Sequence, residues 1–440
     1  MLPTYPGQRV TIMGLGLFSG GVSTARFFAV AGATVTVTDL KPEAVLRRSM
    51  DDLRGLPIRF VLGEHHEEDF IQTDLVVVSP AVNDDSPYLR LARQHGVPLT
   101  TEMNLVFERC PARIIGITGS NGKTTTTCLI GAILRAFDDR TRVGGNIGRS
   151  LLEEIDDVPP DTTVVLELSS FQLKRLAWIG RSPHVSAVTN LSPNHLDWHG
   201  TFEDYADSKQ QIIRSQKEDD IAVLNADDAR LRDWATVCRS QVFWFSLERE
   251  VERGACLRRN TVVFRHEGRE EWVCDIRDLQ IPGRHNVANV LAAVAAAAAY
   301  GVPARTILAA VTTFRGVAHR LEFVAELDGV RYYDDSACTT PESTIIALRA
   351  LDAPIILIAG GYDKHVEFDE LAAEIVQRTK AAVLIGKTAG RLEAVITQRR
   401  NGDSPAIVHC GSLKDAVDQS RALAQPGDVV VLSPACASYD

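Results

Sequence analysis

Short apolar runs punctuate this chain at intervals that leave room for a helix between them. Val10–Met13, Ala33–Thr38 and Asp74–Val78 open the series, and Asp161–Leu168, Val185–Asn190 and Ile221–Leu224 continue it. Val330–Tyr333, Ile355–Ile358, Ala382–Ile385, Ala406–Val408 and Val429–Leu432 close it. Near-continuous apolar runs alternating with helical stretches predict parallel strands covered on both faces. Phe202–Arg214 and the alanine-rich stretch running to Tyr300 predict helices. Residues 240–280 break the rhythm and predict short antiparallel strands. The expected fold class is α/β in three domains. These are a Rossmann-like domain over residues 1–102, a central mixed α/β domain of phosphate-loop ATPase type over 103–315, and a Rossmann-like parallel sheet over 316–440.

The ends of these strands carry the polar chemistry, as they do in open parallel sheets. Ile114–Thr118 runs into Gly119, Ser120, Asn121, Gly122, Lys123, Thr124 and Thr125, and a helical stretch to Phe137 follows. This is a phosphate cradle: glycines turn backbone N–H groups inward, Lys123 adds a charge and the Thr124 hydroxyl can ligate Mg²⁺. The spacing is GxxGKT, with Ile117 where the longer GxxxxGK pattern has glycine. Glu167 ends the next strand, where a Mg²⁺ ligand belongs; a buried ion pair is the bland alternative. Asn194-His195-Leu196-Asp197-Trp198-His199 offers either transition-metal ligands or one functional histidine among solvated neighbours. Asn286 and Asn289 share a helix face, to cap the helix or to read a purine edge. Near the start, Gly14-Leu15-Gly16-Leu17-Phe18-Ser19-Gly20-Gly21 joins a strand to a helix, and Asp39 ends the second strand. The turn fits the dinucleotide fingerprint only loosely, which supports the fold and not NAD.

Length, charge and cysteines narrow the class. The chain has 440 residues, a net charge of −10 and no basic run, so nucleic acid is not an expected partner. Its eight cysteines form no CxxC pair, which suits reduced thiols in the cytoplasm. The N-terminus shows no charged-then-apolar leader, and no apolar stretch approaches the ~20 residues of a membrane span. The last strand runs into Ser433–Asp440 without a covering helix, so a C-terminally shortened chain is expected.

Together, several marks resemble the Mur ligases over essentially the whole chain. They are Gly14-Leu15-Gly16, Gly119–Thr124, Gly145-Asn146-Ile147-Gly148, Glu167-Leu168-Ser169-Ser170-Phe171-Gln172, Asn194–Asp197, His285–Asn289, Asp335-Ser336 and Ser433–Ser438. The central marks are shared with folylpolyglutamate synthases; the first and last are more particular to the branch that adds D-glutamate. The resemblance implies ATP-dependent amide synthesis in cytoplasmic peptidoglycan precursor formation, by a monomer. Its substrates would be UDP-N-acetylmuramoyl-L-alanine and D-glutamate. Gly16, Leu17, Phe18, Asp39, Ser79, Pro80, Asn146 and His195 would contact the UDP-sugar. Gly119 to Thr125, Asn286, Asn289, Arg320 and Asp335 would bind ATP. Two Mg²⁺ ions would be held by Thr124, Glu167, His195 and a carbamylated Lys209, with Lys123, Glu167, His195 and Lys209 as the catalytic set. Thr339, Lys364 and Ser438 would bind glutamate.

Three departures stand out. The family motif Asp-Ser-Lys-Ala-Thr-Asn reads Asp335-Ser336-Ala337-Cys338-Thr339-Thr340 here, so a cation is replaced by Ala337. An aromatic expected beyond Asp440 is missing, and the first glycine loop is about two residues longer than usual by local alignment. An L-glutamate-adding or other amino-acid-adding ligase, and a nucleotide-binding protein that no longer ligates, are the competing expectations. A folylpolyglutamate synthase fits less well, because that family lacks the first Rossmann-like domain.

Overall fold

The computed structural model describes residues 5–17, 19–363, 366–400 and 402–437. Three sheets are present, distributed over two compact units. One unit is Met1–Asp275 with Asn289–Val311, and the other is Ile276–Ala288 with Thr312–Asp440.

The first unit holds two sheets. Its first strands are β1 (Arg9–Met13), β2 (Thr34–Asp39), β3 (Ile58–Leu62), β4 (Leu75–Val78) and β5 (Leu99–Thr100), ordered β3-β2-β1-β4-β5 and all parallel. The order reverses between β1 and β4, so a crevice opens at their C-terminal ends. Gly14 to Gly16 and Ser79 stand there.

The second sheet contains β6 (Arg113–Thr118), β7 (Arg142–Gly145), β8 (Thr163–Glu167), β9 (Val185–Val188), β10 (Ile221–Asn225), β11 (Gln241–Ser246), β12 (Gly254–Arg258), β13 (Thr261–His266) and β14 (Arg269–Asp275). The order is β14-β13-β12-β11-β10-β9-β6-β8-β7. Residues 240–280 depart in part from the expected antiparallel strands: β11 pairs parallel with both β10 and β12, while β12 with β13 and β13 with β14 are antiparallel as expected. The two sheets share one hydrophobic core. Val10, Ile12 and Phe28 belong to the same buried cluster as Val164, Leu173 and Leu224.

The second unit is built on β15 (Glu322–Leu327), β16 (Val330–Asp334), β17 (Ile355–Gly360), β18 (Thr379–Ile385), β19 (Ala406–His409) and β20 (Val429–Leu432). Their order is β15-β16-β20-β17-β18-β19. Every pair is parallel except β15 with β16. That edge hairpin, absent from the sequence-based expectation, turns through Asp328 (φ 54°) and Gly329 (φ 75°). Positive φ at both central residues is what a tight two-residue hairpin requires. Among the described residues, no helix is long and apolar enough to cross a membrane.

Candidate active site

The loop after β6 turns on two glycines, Gly119 (φ 151°) and Gly122 (φ 80°), and delivers Lys123 to the start of the helix Lys123–Phe137. A Cβ on Gly119 would collide with Thr189 Oγ1, and one on Gly122 with Asn289 Oδ1. The cradle is thus closed to any side chain at either position. Its shape is pinned from β9: Ser120 N donates to Asn190 O at 2.9 Å, Asn121 N to Asn190 Oδ1 at 3.0 Å, and Thr189 Oγ1 to Asn121 O at 2.6 Å. Ser120 Oγ meets Tyr205 OH at 3.0 Å and donates to Ser192 O at 2.8 Å. Lys123 Nζ folds back over the loop, donating to Gly119 O at 3.0 Å and Ser120 O at 2.9 Å.

Glu167, 2% exposed at the end of β8, joins the loop to its neighbour. Its Oε2 accepts from Thr124 Oγ1 at 2.7 Å and its Oε1 from Asn146 Nδ2 at 2.9 Å. Among the described residues Glu167 makes no ion pair: both side-chain partners, Thr124 and Asn146, are neutral. Lys209 sits beneath, on the helix Phe202–Arg214, and is 1% exposed. Its Nζ donates to Thr118 Oγ1 at 3.2 Å and lies 4.8 Å from the Tyr205 ring centroid. Burial, reinforced by the Lys123 charge, drives its pKa well below that of an ordinary lysine.

His195 stands at the mouth in the left-handed region (φ 53°), capping the short helix Leu196–His199. Desolvation, then the cations Lys123 and Lys209, lower its pKa and favour the neutral imidazole that a metal needs. His199 is different. Its Nδ1 meets Asp204 Oδ2 at 2.7 Å, its Nε2 meets Ser170 Oγ at 2.9 Å, and its ring stacks on Phe171. With both nitrogens engaged, His199 favours the alternative of one functional histidine, although it is itself buried and not a solvated neighbour. Among the described residues, the one His, Cys, Asp and Glu cluster with converging ligand atoms is His319, Glu322 and Asp334 in the second unit.

Carboxylate, hydroxyl and imidazole beside a glycine cradle form the oxygen-rich donor set that a hard cation and a nucleoside triphosphate fit. Thr124, Glu167 and His195 could donate to a metal, and among the described residues the buried Lys209 has the neutral Thr118 hydroxyl as its hydrogen-bond partner. Asn289 is packed against the loop, with Thr126 Oγ1 donating to its Oδ1 at 3.3 Å. Asn286 donates to Pro282 O at 2.7 Å, a local bond near the start of its helix.

At the first sheet, Asp39 Oδ2 accepts from Gly16 N at 3.0 Å and Oδ1 from Lys41 N at 2.9 Å. Gly14 approaches Ser79 so closely that a Cβ on it would lie 2.7 Å from Ser79 Cβ. Gly16, Asp39 and Ser79 therefore meet at one end of the sheet, with Leu17 exposed beside them. In the second unit, Asp335 is buried: it accepts from Leu321 N at 2.9 Å, Ser433 Oγ at 2.7 Å and Cys338 Sγ at 3.1 Å. Burial raises its pKa. These bonds tie the loop bearing Arg320 to β20. Phe18, Lys364 and Ser438 lie outside the described residues.

Sequence reasoning did not single out Thr189, Asn190 or Tyr205, which hold the cradle. Thr189 and Asn190 did leave a signal, as the first polar residues after β9; Tyr205 left none.

Comparison with known proteins agrees with this geometry. Residues 8–101 match the Mur ligase MurD-like N-terminal domain, 117–297 the Mur ligase middle domain, and 319–436 the Mur ligase glutamate ligase domain. The UDP-N-acetylmuramoylalanine–D-glutamate ligase of Roseiflexus sp. (strain RS-1) is 46% identical, over 98% of this chain and 95% of that one. The enzyme of that name from Symbiobacterium thermophilum is 42% identical, over 98% and 94%. The crystal structure of the UDP-N-acetylmuramate–alanine ligase MurC from Thermotoga maritima superposes with a TM-score of 0.63 at 20% identity, over 97% and 96%, a likeness of fold. A glycine cradle closed by a strand-end glutamate, three matched domains and relatives this similar over almost their full length lead to one conclusion: the chain belongs to the Mur ligase family.

Proposed function

We propose that the protein is an ATP-dependent ligase that joins D-glutamate to UDP-N-acetylmuramoyl-L-alanine in cytoplasmic peptidoglycan precursor synthesis, acting as a monomer. The observation that carries the reading is the Thr124–Glu167–Asn146 clamp beside Lys123 and the buried Lys209. The names of the relatives above support the choice of substrates.

The alanyl carboxylate is a poor electrophile, because its leaving group is oxide. Transfer of the γ-phosphoryl group of ATP makes it an acyl phosphate; the glutamate amine then attacks the carbonyl and phosphate leaves. Lys123, released from Gly119 O and Ser120 O, turns its ammonium onto the transferred phosphoryl oxygens. The loop Gly119 to Thr125 cradles the phosphates, Ser120 N and Asn121 N holding its shape through Asn190 while the N–H groups at the helix start, Gly122 to Thr125, face the phosphates, and Asn286 and Asn289 bind the adenine. Thr124 and Glu167 hold one Mg²⁺, and His195 and a carbamylated Lys209 a second; the ions supply charge neutralisation at the phosphates. A low pKa at Lys209 serves carbamylation, because the neutral amine is the form that attacks CO₂. Gly16, Leu17, Phe18, Asp39, Ser79 and Pro80 hold the UDP portion in a domain of residues 1–102, and Asn146 and His195 face the sugar. Arg320 and Asp335 serve ATP, and Thr339, Lys364 and Ser438 glutamate, in the domain of residues 316–440.

Phosphate release from ATP and Mg²⁺ with UDP-N-acetylmuramoyl-L-alanine tests this. Release is expected with D-glutamate, and not with L-glutamate or without an amino acid. Release with L-glutamate alone would make the protein a different amino-acid adder, and none at all would remove ligation. Lys123→Ala should lower turnover by about 10³-fold or more, the scale of losing a principal transition-state charge partner; substantial ligation in that variant would refute the phosphate-loop assignment.

A further inference from the structure

We infer that Arg175 is a positioning residue that fixes the shape of the loop after β4 and ties it to the strand end bearing Glu167. Arg175 lies in the helix Ser170–Leu176 and is 0% exposed. Its neighbour Lys174 makes a half-buried ion pair with Asp204, at 2.8 Å and 2.9 Å. Arg175 instead sends its guanidinium into the loop Ser79–Asp84. Nη1 donates to Ser79 O at 2.7 Å, Nη2 to Val82 O, and Nε to Asp84 Oδ1 at 3.2 Å. Buried Asn104 also holds the helix, donating from Nδ2 to the backbone oxygen of Arg175 at 3.1 Å.

A guanidinium is costly to bury unless its fork of donors is met. Here two of its three partners are backbone carbonyls, so the interaction goes into the path of the loop and not only into an ion pair. Ser79 O also accepts from Val82 N at 3.1 Å, closing a turn around the same cation. Ser79 is the residue against which Gly14 packs. The other end of the Arg175 helix starts at Ser170, three residues beyond Glu167. Ser169 and Gln172 cap it reciprocally, and Ser170 Oγ bonds His199 Nε2 at 2.9 Å. One short helix thus connects the Ser79 loop to the end of β8. The functional consequence rests on the ligase reading above: Arg175 sets the place of the UDP-sugar relative to the phosphates.

Binding calorimetry with UDP-N-acetylmuramoyl-L-alanine and, separately, Mg²⁺-ATP tests the inference. Arg175→Met keeps the volume and removes the buried charge, leaving Asp84 in partial contact with water. It is expected to bind the sugar nucleotide at least tenfold more weakly and ATP within twofold of native. Arg175→Lys, which keeps the charge but not the fork, should fall between. Native sugar-nucleotide affinity in both variants, or equal losses for both ligands, would overturn the assignment. Hydrogen exchange separates this from the ligase reading. Amides of residues 79–84 should exchange at least tenfold faster in Arg175→Lys, with β1 and β4 unchanged. Unchanged loop exchange overturns the positioning role whatever ligand binds; a native protein that binds no sugar nucleotide, with the exchange difference present, overturns only the ligase reading.

Discussion

Lys209 is a side chain whose placement makes sense for chemistry and not for stability. An amine buried at 1% exposure, with a threonine hydroxyl as its hydrogen-bond partner, costs the fold free energy. Its pKa is lowered well below 10.5, so between the folded and unfolded values the unfolded chain holds more protons. The penalty is therefore present in full below the folded pKa and relieved as pH rises toward the unfolded one. In CO₂-free buffer at pH 7, Lys209→Met is expected to raise Tm by about 2 °C or more, the response of a unit this size to roughly 1 kcal/mol. The gain should shrink toward pH 10, while turnover falls by about 10²-fold or more, the loss expected when a charge-stabilising group leaves the site. A Tm difference that does not change with pH would refute the buried-amine account. None of this was legible at the residue itself, where Lys209 in a helical stretch reads as solvated. Arg175 was equally silent beside Lys174. Long-range burial, and not local pattern, separates these two from ordinary surface cations.

Elements were more legible, because each strand end announces itself by an abrupt change from apolar to glycine or polar residues. The cradle after β6 is the clearest case, with its glycines forced by positive φ and by close approach. Gly119→Ala would bring a methyl group into Thr189 Oγ1 from a backbone at φ 151°. The strand-end bonds from Thr189 and Asn190 would have to open. We expect the KM for ATP to rise at least tenfold, about 1.4 kcal/mol of binding, with UDP-sugar affinity unchanged. A variant with native ATP kinetics would show that the cradle tolerates rearrangement. The antiparallel β15 escaped notice for a physical reason. Phe323, Val324 and Leu327 are all exposed, and a bulge at Val324 breaks the alternation that marks a half-buried strand. Its Asp328-Gly329 turn was the better signal. Pairing direction at β11 and β12 was not readable either, since short strands of similar composition serve both kinds of ladder.

At the scale of the molecule, the sheets were countable from the sequence, but the grouping of their cores was not. Apolar periodicity reports which face is buried and not what lies against it. The first two sheets share one buried cluster, joining Val10 and Phe28 to Leu173 and Leu224, while the third sheet has cores of its own, around Leu357 and around Val383. Continuous packing makes unfolding cooperative, so the first unit should melt in one transition despite containing two sheets. A ligand of the first unit stabilises what it binds: at a hundredfold excess over Kd the gain is about 2.7 kcal/mol. Scanning calorimetry with UDP-N-acetylmuramoyl-L-alanine alone should therefore raise a single transition belonging to the first unit and leave the second in place. Hydrogen exchange read alongside assigns the transitions, with amides of β1 and β8 protected together and those of β17 unaffected. If β1 were protected while β8 was not, the shared core would be two independent ones, and Arg175 would have no rigid frame through which to set the loop.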